Sequence, residues 1–433
     1  MKILILSQYW HPENGVPQRR WTWLSRILVD AGHEVTVIAP PPHYQRKVEL
    51  RQWWSERQYS SSFESDPGPS GERIIRSGFV PSGASLTQRI MNQATVALGA
   101  LWVVLKRPGV LKGYRPDLVI GTVPALPTAV VAGLSARILK CPYVIDLRDA
   151  WPDLLDQSEE WNKSTGKRSL RERILTKGPF QVLSAGTRLA LHKVLKGAAG
   201  LSVTSSHLQC DLCERPEIQT RGNAPKIVTV RNVFPPETDY RAEQVDEGPC
   251  GELKVLYAGT LGRAQNLANA VEAARLAEEA GVRIHLRLVG AGAAREALTE
   301  TARATDTNVS IEGRQPADKL DDYYEWADTA LVHLTDWEPL KRAVPSKTYE
   351  LMVARLHISG VVKGEAADII RSRRAGDVVP PDDPRALADL WIALARDRSR
   401  LTITGDGPEW VKQEREEIAP PRLLELVEEV GGR

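Results

Sequence analysis

Cysteine is scarce in this chain of 433 residues: Cys141, Cys210, Cys213 and Cys250 are all it has. Only Cys210 and Cys213 have metal-like or redox-like spacing, and a single CxxC cannot close a tetrahedral zinc site. His207 lies nearby in sequence, yet a reduced thiol pair is the expected state, so neither a disulfide framework nor a zinc scaffold is expected. The opening MKILIL lacks the layout of a signal peptide and reads as a strand, which makes the cytoplasm the expected compartment. An uninterrupted membrane span is missing too. Leu118 to Ala136 holds no charge, but Pro124 and Pro127 divide it into a strand, a turn and a short helix. The first loop, PENGVPQRR, lacks the G-x-G-x-x-G that a dinucleotide pyrophosphate requires, which argues against an oxidoreductase. No short-period repeat of the solenoid kind is present.

Acid is absent from Arg73 to Pro116, a stretch with seven Lys or Arg, and Trp161 to Cys210 has nine basic residues against the single acid Glu172. The net charge is nevertheless only +2, so the remainder is acidic. This asymmetry points to an anionic partner for the N-terminal half. Within the first stretch, ATVALGALWVVL is too short to span a bilayer but can lie in an anionic membrane surface; a core helix with a solvated basic face is the equal alternative. No motif for nucleic acid occurs in either stretch.

Apolar content of 42% and charge of 26% are ordinary for a soluble globular protein, and the length allows two or three domains. Strand-like runs (KILIL, EVTVIAP, DLVIGT, YVIDL, GLSVTS) alternate with helical patterns about Gln18 to Ala31, Ile90 to Leu105 and Leu189 to Leu195. Such alternation predicts a parallel sheet covered on both faces. SSSFESDPGPSGE, within Val48 to Glu72, reads as an excursion, and VFPPETDYRAEQVDEGPCGE, rich in Pro, Gly and acids, as a linker. The alternation restarts at LKVLYAG and runs to the helix Asp383 to Ala395. The expected plan is α/β: a doubly wound domain over 1–232, a linker over 233–252, a second such domain over 253–407, and helices over 408–433 packing back across the junction.

Chemistry concentrates in VPSKTYELM, Val344 to Met352. Lys347 and the exposed N–H groups of a helix start suit a diphosphate, and Glu350, one turn on, can accept hydrogen bonds from ribose hydroxyls. Pro345 suits the first helical turn. An ordinary surface helix start with a solvated ion pair is the competing account. AGTLGRAQN runs from a strand into small residues and Arg263, a planar cation for phosphate, while Gly290 and Gly292 in LVGAGA permit close approach of a ligand.

Together with KGEAADII, these motifs resemble the donor-binding half of family 4 glycosyltransferases of the GT-B type, two Rossmann-like domains facing across a cleft. The bacterial capsule, O-antigen and exopolysaccharide branch is the most similar. YWHPENGVPQRRWTWLSRILVDAGHEVTVIAP resembles that branch's glycine-containing first loop and following strand, and LRDAWPDLL its Arg, Asp, Trp and Pro signature. The likeness covers nearly the whole chain apart from the excursion and the region near Glu159 to Lys177. It departs from the family at two places: Arg342 stands eight positions before Glu350, where a first glutamate is common, with Glu338 out of register, and Gln265 and Asn266 stand where a lysine is often found.

The resemblance implies retaining transfer from a nucleotide diphosphate sugar, with UDP chosen on family frequency. Arg263 and Lys347 would neutralise the diphosphate, Gly15 would close on it from the first domain, Glu350 would hold the ribose, and Gly313 with Arg314 would meet the base. Asp149, in the catalytic set with Arg263 and Lys347, would face the acceptor beside Arg148 and His43. For Arg148 and Asp149 a structural ion pair is an equal account, and His43 also reads as an ordinary loop residue. The acceptor would be a glycan or a polyprenyl-diphosphate-linked glycan. No metal or other cofactor is expected, because a DxD cluster in a matching context is lacking and DLRD, Asp146 to Asp149, has the wrong spacing. A sugar-nucleotide epimerase or phosphorylase on the same fold, or a non-catalytic partner that binds nucleotide, stays open at this point.

Overall fold

A computed structural model describes residues 1–43, 48–61, 64–81, 86–107, 109–123, 125–151, 153–156, 179–219, 224–236, 240–242, 248–305, 307–316 and 319–432. The chain divides into two compact units: Met1–Pro152, Leu175–Phe234 and Glu417–Arg433 form the first, Asp153–Ile174 and Pro235–Glu416 the second. The region near Glu159 to Lys177 lies outside the described residues, as do Pro124 and parts of the segment read as linker.

The first unit is built on an eight-stranded sheet. Its strands are β1 (Lys2–Leu6), β2 (Glu34–Ala39), β3 (Ser65–Pro67), β4 (Arg73–Arg76), β5 (Leu118–Val123), β6 (Tyr143–Leu147), β7 (Gly200–Val203) and β8 (Lys226–Thr229), in the order β3-β4-β2-β1-β5-β6-β7-β8. All neighbours pair in parallel except β3 with β4, and Leu4 lies opposite both Thr36 and Val119. The central strands are buried on both faces, which is why they read as continuous apolar runs. Helices α1 (Val16–Asp30), α2 (Leu50–Ser55), α3 (Leu86–Lys106), α4 (Leu126–Leu139), α5 (Asp153–Asp156), α6 (Pro179–Gly197) and α7 (Ser206–Glu214) follow in chain order, α5 clustering with the second unit. After α1 the chain turns at Gly32, whose φ of 82° suits glycine.

Two sequence expectations change here. The excursion before Glu72 contains strand β3, which pairs antiparallel with β4 at the sheet edge. Glu72 fixes this hairpin from within: its buried carboxylate accepts hydrogen bonds from the Trp10 indole (3.2 Å) and the Ser70 N–H (2.9 Å). Strand β4, RIIR, went unrecognised because its two buried isoleucines lie between arginines. Those arginines pair with acids outside the basic stretch, Arg73 with Glu34 and Arg76 with Asp66.

The second unit has six parallel strands, β9 (Glu252–Thr260), β10 (Arg283–Ala291), β11 (Val309–Glu312), β12 (Thr329–His333), β13 (His357–Val361) and β14 (Gly376–Val379), ordered β11-β10-β9-β12-β13-β14. Its helices are α8 (Ala268–Glu279), α9 (Arg295–Ala304), α10 (Leu320–Trp326), α11 (Ser346–Val353), α12 (Glu365–Ser372), α13 (Pro384–Arg396) and α14 (Gly407–Gln413). Alanines of α8 and Trp391 of α13 fill its core against Leu253, Ile284 and Leu288.

The C-terminal segment, read as one set of helices over 408–433, parts at Glu416. Helix α14 stays against α11 in the second unit, whereas α15 (Ala419–Gly431) joins the first. Leu423, Leu426, Val427 and Val430 of α15 pack with Ile3, Ile5 and Trp21 on the sheet face that also carries α1. No helix among the described residues is long and apolar enough to cross a membrane.

Candidate active site

Because the second unit's strands are all parallel, their C-terminal ends share one edge, the usual ligand edge of an open α/β sheet. From this edge α11 starts with Pro345 at the N-cap, one position before the helical turn expected to contain it, its carbonyl accepting from the Thr348 N–H (2.9 Å). Lys347 donates from Nζ to Tyr324 Oη (3.0 Å) and Glu350 Oε1 (2.9 Å), and Tyr324 donates to the same Glu350 oxygen (2.9 Å). The ion pair is therefore not a solvated surface pair. Glu350 is only 8% exposed, while Lys347 keeps 28% of its side chain in solvent and one of its three N–H donors outside this triangle. Tyr324, fully buried on α10, was not singled out by sequence; in LDDYYEW nothing distinguishes it from Tyr323.

Arg263 opens a 3-10 turn, Arg263–Gln265, at the end of β9. Two neighbouring loops fix that turn. The Thr335 N–H, after β12, donates to Ala264 O (2.9 Å), and Asn266 Nδ2 donates to Asp382 Oδ1 (2.7 Å), after β14. Asp382 also accepts from Thr335 Oγ1 (3.0 Å) and the Asp336 N–H (3.0 Å). Burial pushes its carboxyl up, but these donors outweigh that and hold it below the ordinary aspartate value. Asn266 and Asp382 have φ of 38° and 58°, the left-handed region that Asn and Asp tolerate best after glycine. A clasp of two such residues thus spans the ends of β9 and β14. Beneath it His333, buried at the end of β12, is pushed by burial down to about 4, so its ring is neutral and Nε2 accepts from Asn269 Nδ2 (3.0 Å).

Gly290 and Gly292 have a cause inside the protein. A Cβ on Gly290 would lie 1.8 Å from Gly259 O, and one on Gly292 2.1 Å from Leu261 O, so both let β10 end closely against β9. Gly313 and exposed Arg314 leave β11 in a loop. Arg342, in the first-glutamate position, pairs with Asp153 of α5 (2.6 Å), and Glu338 pairs with Lys341 at the surface.

In the first unit, Gly15 is the N-cap of α1, its carbonyl accepting from the Arg19 N–H (2.9 Å). Arg148 and Asp149 follow β6 in a tight turn, with the Trp151 N–H on Asp149 O (2.7 Å) and Thr204 Oγ1 on Arg148 O (2.9 Å). Asp149 is exposed by surface area, yet the protein around it raises its carboxyl above the ordinary value, against the pull of Arg148. His43 lies in a buried cluster. It stands between Tyr9 and Phe79, donates from Nδ1 to Pro41 O (3.0 Å) and accepts at Nε2 from Gln8 (3.3 Å), with burial lowering its pKa. That setting suits a neutral structural histidine better than acceptor contact.

Under the Arg148 turn lies an ion pair that sequence reasoning missed. Arg20 of α1, fully buried, forks onto Asp146 of β6 at 3.1 and 2.8 Å. It also donates to Val230 O (2.8 Å), Asn232 Oδ1 (3.0 Å) and Ser202 Oγ (3.3 Å), while the Trp21 indole donates to Asp146 (2.9 Å). One guanidinium thereby ties α1, β6, β7 and the chain after β8.

The matches to known proteins follow this division. Residues 15–215 match the family model described as Glycosyl transferase 4-like domain, and residues 252–397 match Glycosyl transferases group 1. The sucrose-phosphate synthase of Thermosynechococcus elongatus superposes with a TM-score of 0.65 at 16% identity, covering 100% of this chain and 99% of that one. HepE of Anabaena, solved in complex with UDP and glucose, does so with a TM-score of 0.59 at 14% identity, covering 100% and 98%. Two Rossmann-like units with these neighbours define a GT-B glycosyltransferase fold. The chain belongs to the family 4 type of glycosyltransferases. In sequence it is 24% identical over 310 residues to WcaI of Escherichia coli (strain K12), named as a colanic acid biosynthesis glycosyl transferase, covering 70% of this chain and 69% of that one.

Proposed function

We propose that this glycosyltransferase moves a hexosyl or N-acetylhexosaminyl group from a UDP-sugar, with retention at the anomeric carbon and without a metal ion. The acceptor is a glycan or polyprenyl-diphosphate-linked glycan of cell-surface polysaccharide, reached from the cytoplasm. The Lys347–Tyr324–Glu350 triangle carries the reading, because it orients an accessible ammonium at a helix start beside a buried carboxylate. As the bond from the anomeric carbon to the diphosphate breaks, charge gathers on the leaving oxygens, where fixed cations lower the barrier most. Lys347 and Arg263 supply them from the ends of neighbouring strands β12 and β9. The leaving phosphate oxygen takes the acceptor proton, Glu350 accepts from the ribose hydroxyls, Gly313 and Arg314 meet the base, and Gly15 approaches the diphosphate through backbone. Arg148 and Asp149 are assigned to the acceptor. WcaI's name and the UDP held by HepE favour the pathway and the nucleotide.

Calorimetric titration in EDTA with UDP, GDP and NAD, repeated on Glu350→Ala, tests the donor assignment. Tight UDP binding that Glu350→Ala abolishes supports it, and GDP binding instead reassigns the base. Binding of NAD alone, or of nothing, sinks the transferase reading.

A further inference from the structure

Helix α3 has two apolar faces where a helix on a sheet needs one. Val96, Ala97, Ala100, Val103 and Val104 turn into the core. On the opposite side Met91, Leu98, Trp102 and Leu105 are 55, 63, 56 and 53% exposed. At 3.6 residues per turn those four fall within about 60° of arc, a continuous outward stripe. Helix α4, which packs beside α3 over the same core, adds exposed Leu134 and Ile138, and α6, packed on α4, adds Leu189 at 72%.

The charge on this layer has one sign. Not one Asp or Glu occurs in the sequences of α3, α4 and α6. Lys106 lies over the Trp102 ring (4.8 Å), and Arg137, Lys140, Lys193 and Lys196 are exposed on or beside the same helices. The opposite face of the sheet differs: α15 there carries Glu425, Glu428 and Glu429.

We infer that the outward face of α3, α4 and α6 is a docking surface for an anionic lipid membrane, with the apolar stripe in the interfacial zone and the lysines at the headgroups. Apolar burial and attraction to anionic lipid act together in such surfaces, and an indole beside an ammonium suits the headgroup level. A protein partner with an acidic rim would meet the charges, but a bilayer meets both the charges and a stripe along the helix without shaped pockets. The inference stands on the first unit's surface alone and does not depend on the donor chemistry.

The test is co-sedimentation of the full chain with vesicles of phosphatidylcholine alone and with about one-quarter phosphatidylglycerol. Molar mass in solution and UDP binding are measured on the same samples. The wild type should pellet with the anionic vesicles only, less so as salt rises. Leu98→Glu with Trp102→Glu, and separately Lys193→Glu with Lys196→Glu, should each weaken that binding by roughly tenfold or more, with mass unchanged. The second pair leaves the apolar stripe intact, so loss in both is not a folding defect. Equal pelleting with neutral vesicles, pelleting with neither, or variants that bind like the wild type would overturn the inference. So would a wild-type dimer that the Leu98 and Trp102 changes convert to monomer, which would make the face a subunit interface. UDP binding reads separately, so its failure touches only the transferase proposal.

Discussion

The two units use charge in opposite places. In the second, charged and polar side chains meet at the ligand edge itself: Lys347 with Tyr324 and Glu350, and Asp382 with Asn266 and Thr335. In the first, the pair of Arg20 with Asp146 lies wholly inside and fixes backbone, and the loop above it is left with Arg148 and Asp149. A site for a constant ligand such as a nucleotide diphosphate is well served by prebuilt side chains. A unit whose framework is fixed from within can vary its outer loops without losing its fold.

The sharpest way to break this contrast is Arg20→Met. It leaves Asp146 buried without its partner and should destabilise the first unit by about 3–5 kcal/mol in denaturant melts. UDP titration should be spared wherever the protein stays folded; equal loss of UDP affinity would show that the units are not separable in this way. Lys347→Ala comes next, lowering turnover by roughly 10²-fold with the fold intact. Unaltered turnover would remove Lys347 from the mechanism and leave it a structural partner of Glu350. The smallest effect belongs to the clasp. Asp382→Ala should lower kcat/KM by about tenfold through the Arg263 turn. Asp382→Asn, which keeps an acceptor and tolerates the left-handed backbone, should restore most of it. Asp382→Gly, which suits only the backbone, should not; if it does, strain and not the clasp is what matters.

How far sequence reached follows the same line. Buried parallel strands announce themselves as apolar runs, and a motif of nine residues such as VPSKTYELM carries its meaning locally. The Arg20–Asp146 pair joins residues 126 positions apart, so no window of sequence shows it. Tyr324 was hidden for a like reason, being 26 positions from Glu350. Gly290 and Gly292 were recognised as sites of close approach, but what approaches is the neighbouring strand, a fact of register that composition does not encode. His43 illustrates the reverse case: a histidine in a loop after a strand invites a functional reading until its burial between two rings is seen.

Helix α15 makes the first unit discontinuous in the chain, closing one face of its sheet with residues roughly two to three hundred positions after β5, β6, β7 and β8, on which it packs. Lys226 of β8 holds the helix through Glu425 (2.6 Å) and Glu429. During synthesis Pro235–Glu416 of the second unit lies between these two parts, so its sheet can form while the first still lacks a wall. The exposed faces of Ile3, Ile5 and Trp21 must wait through that interval, which makes the nascent first unit the place where a chaperone has most to do.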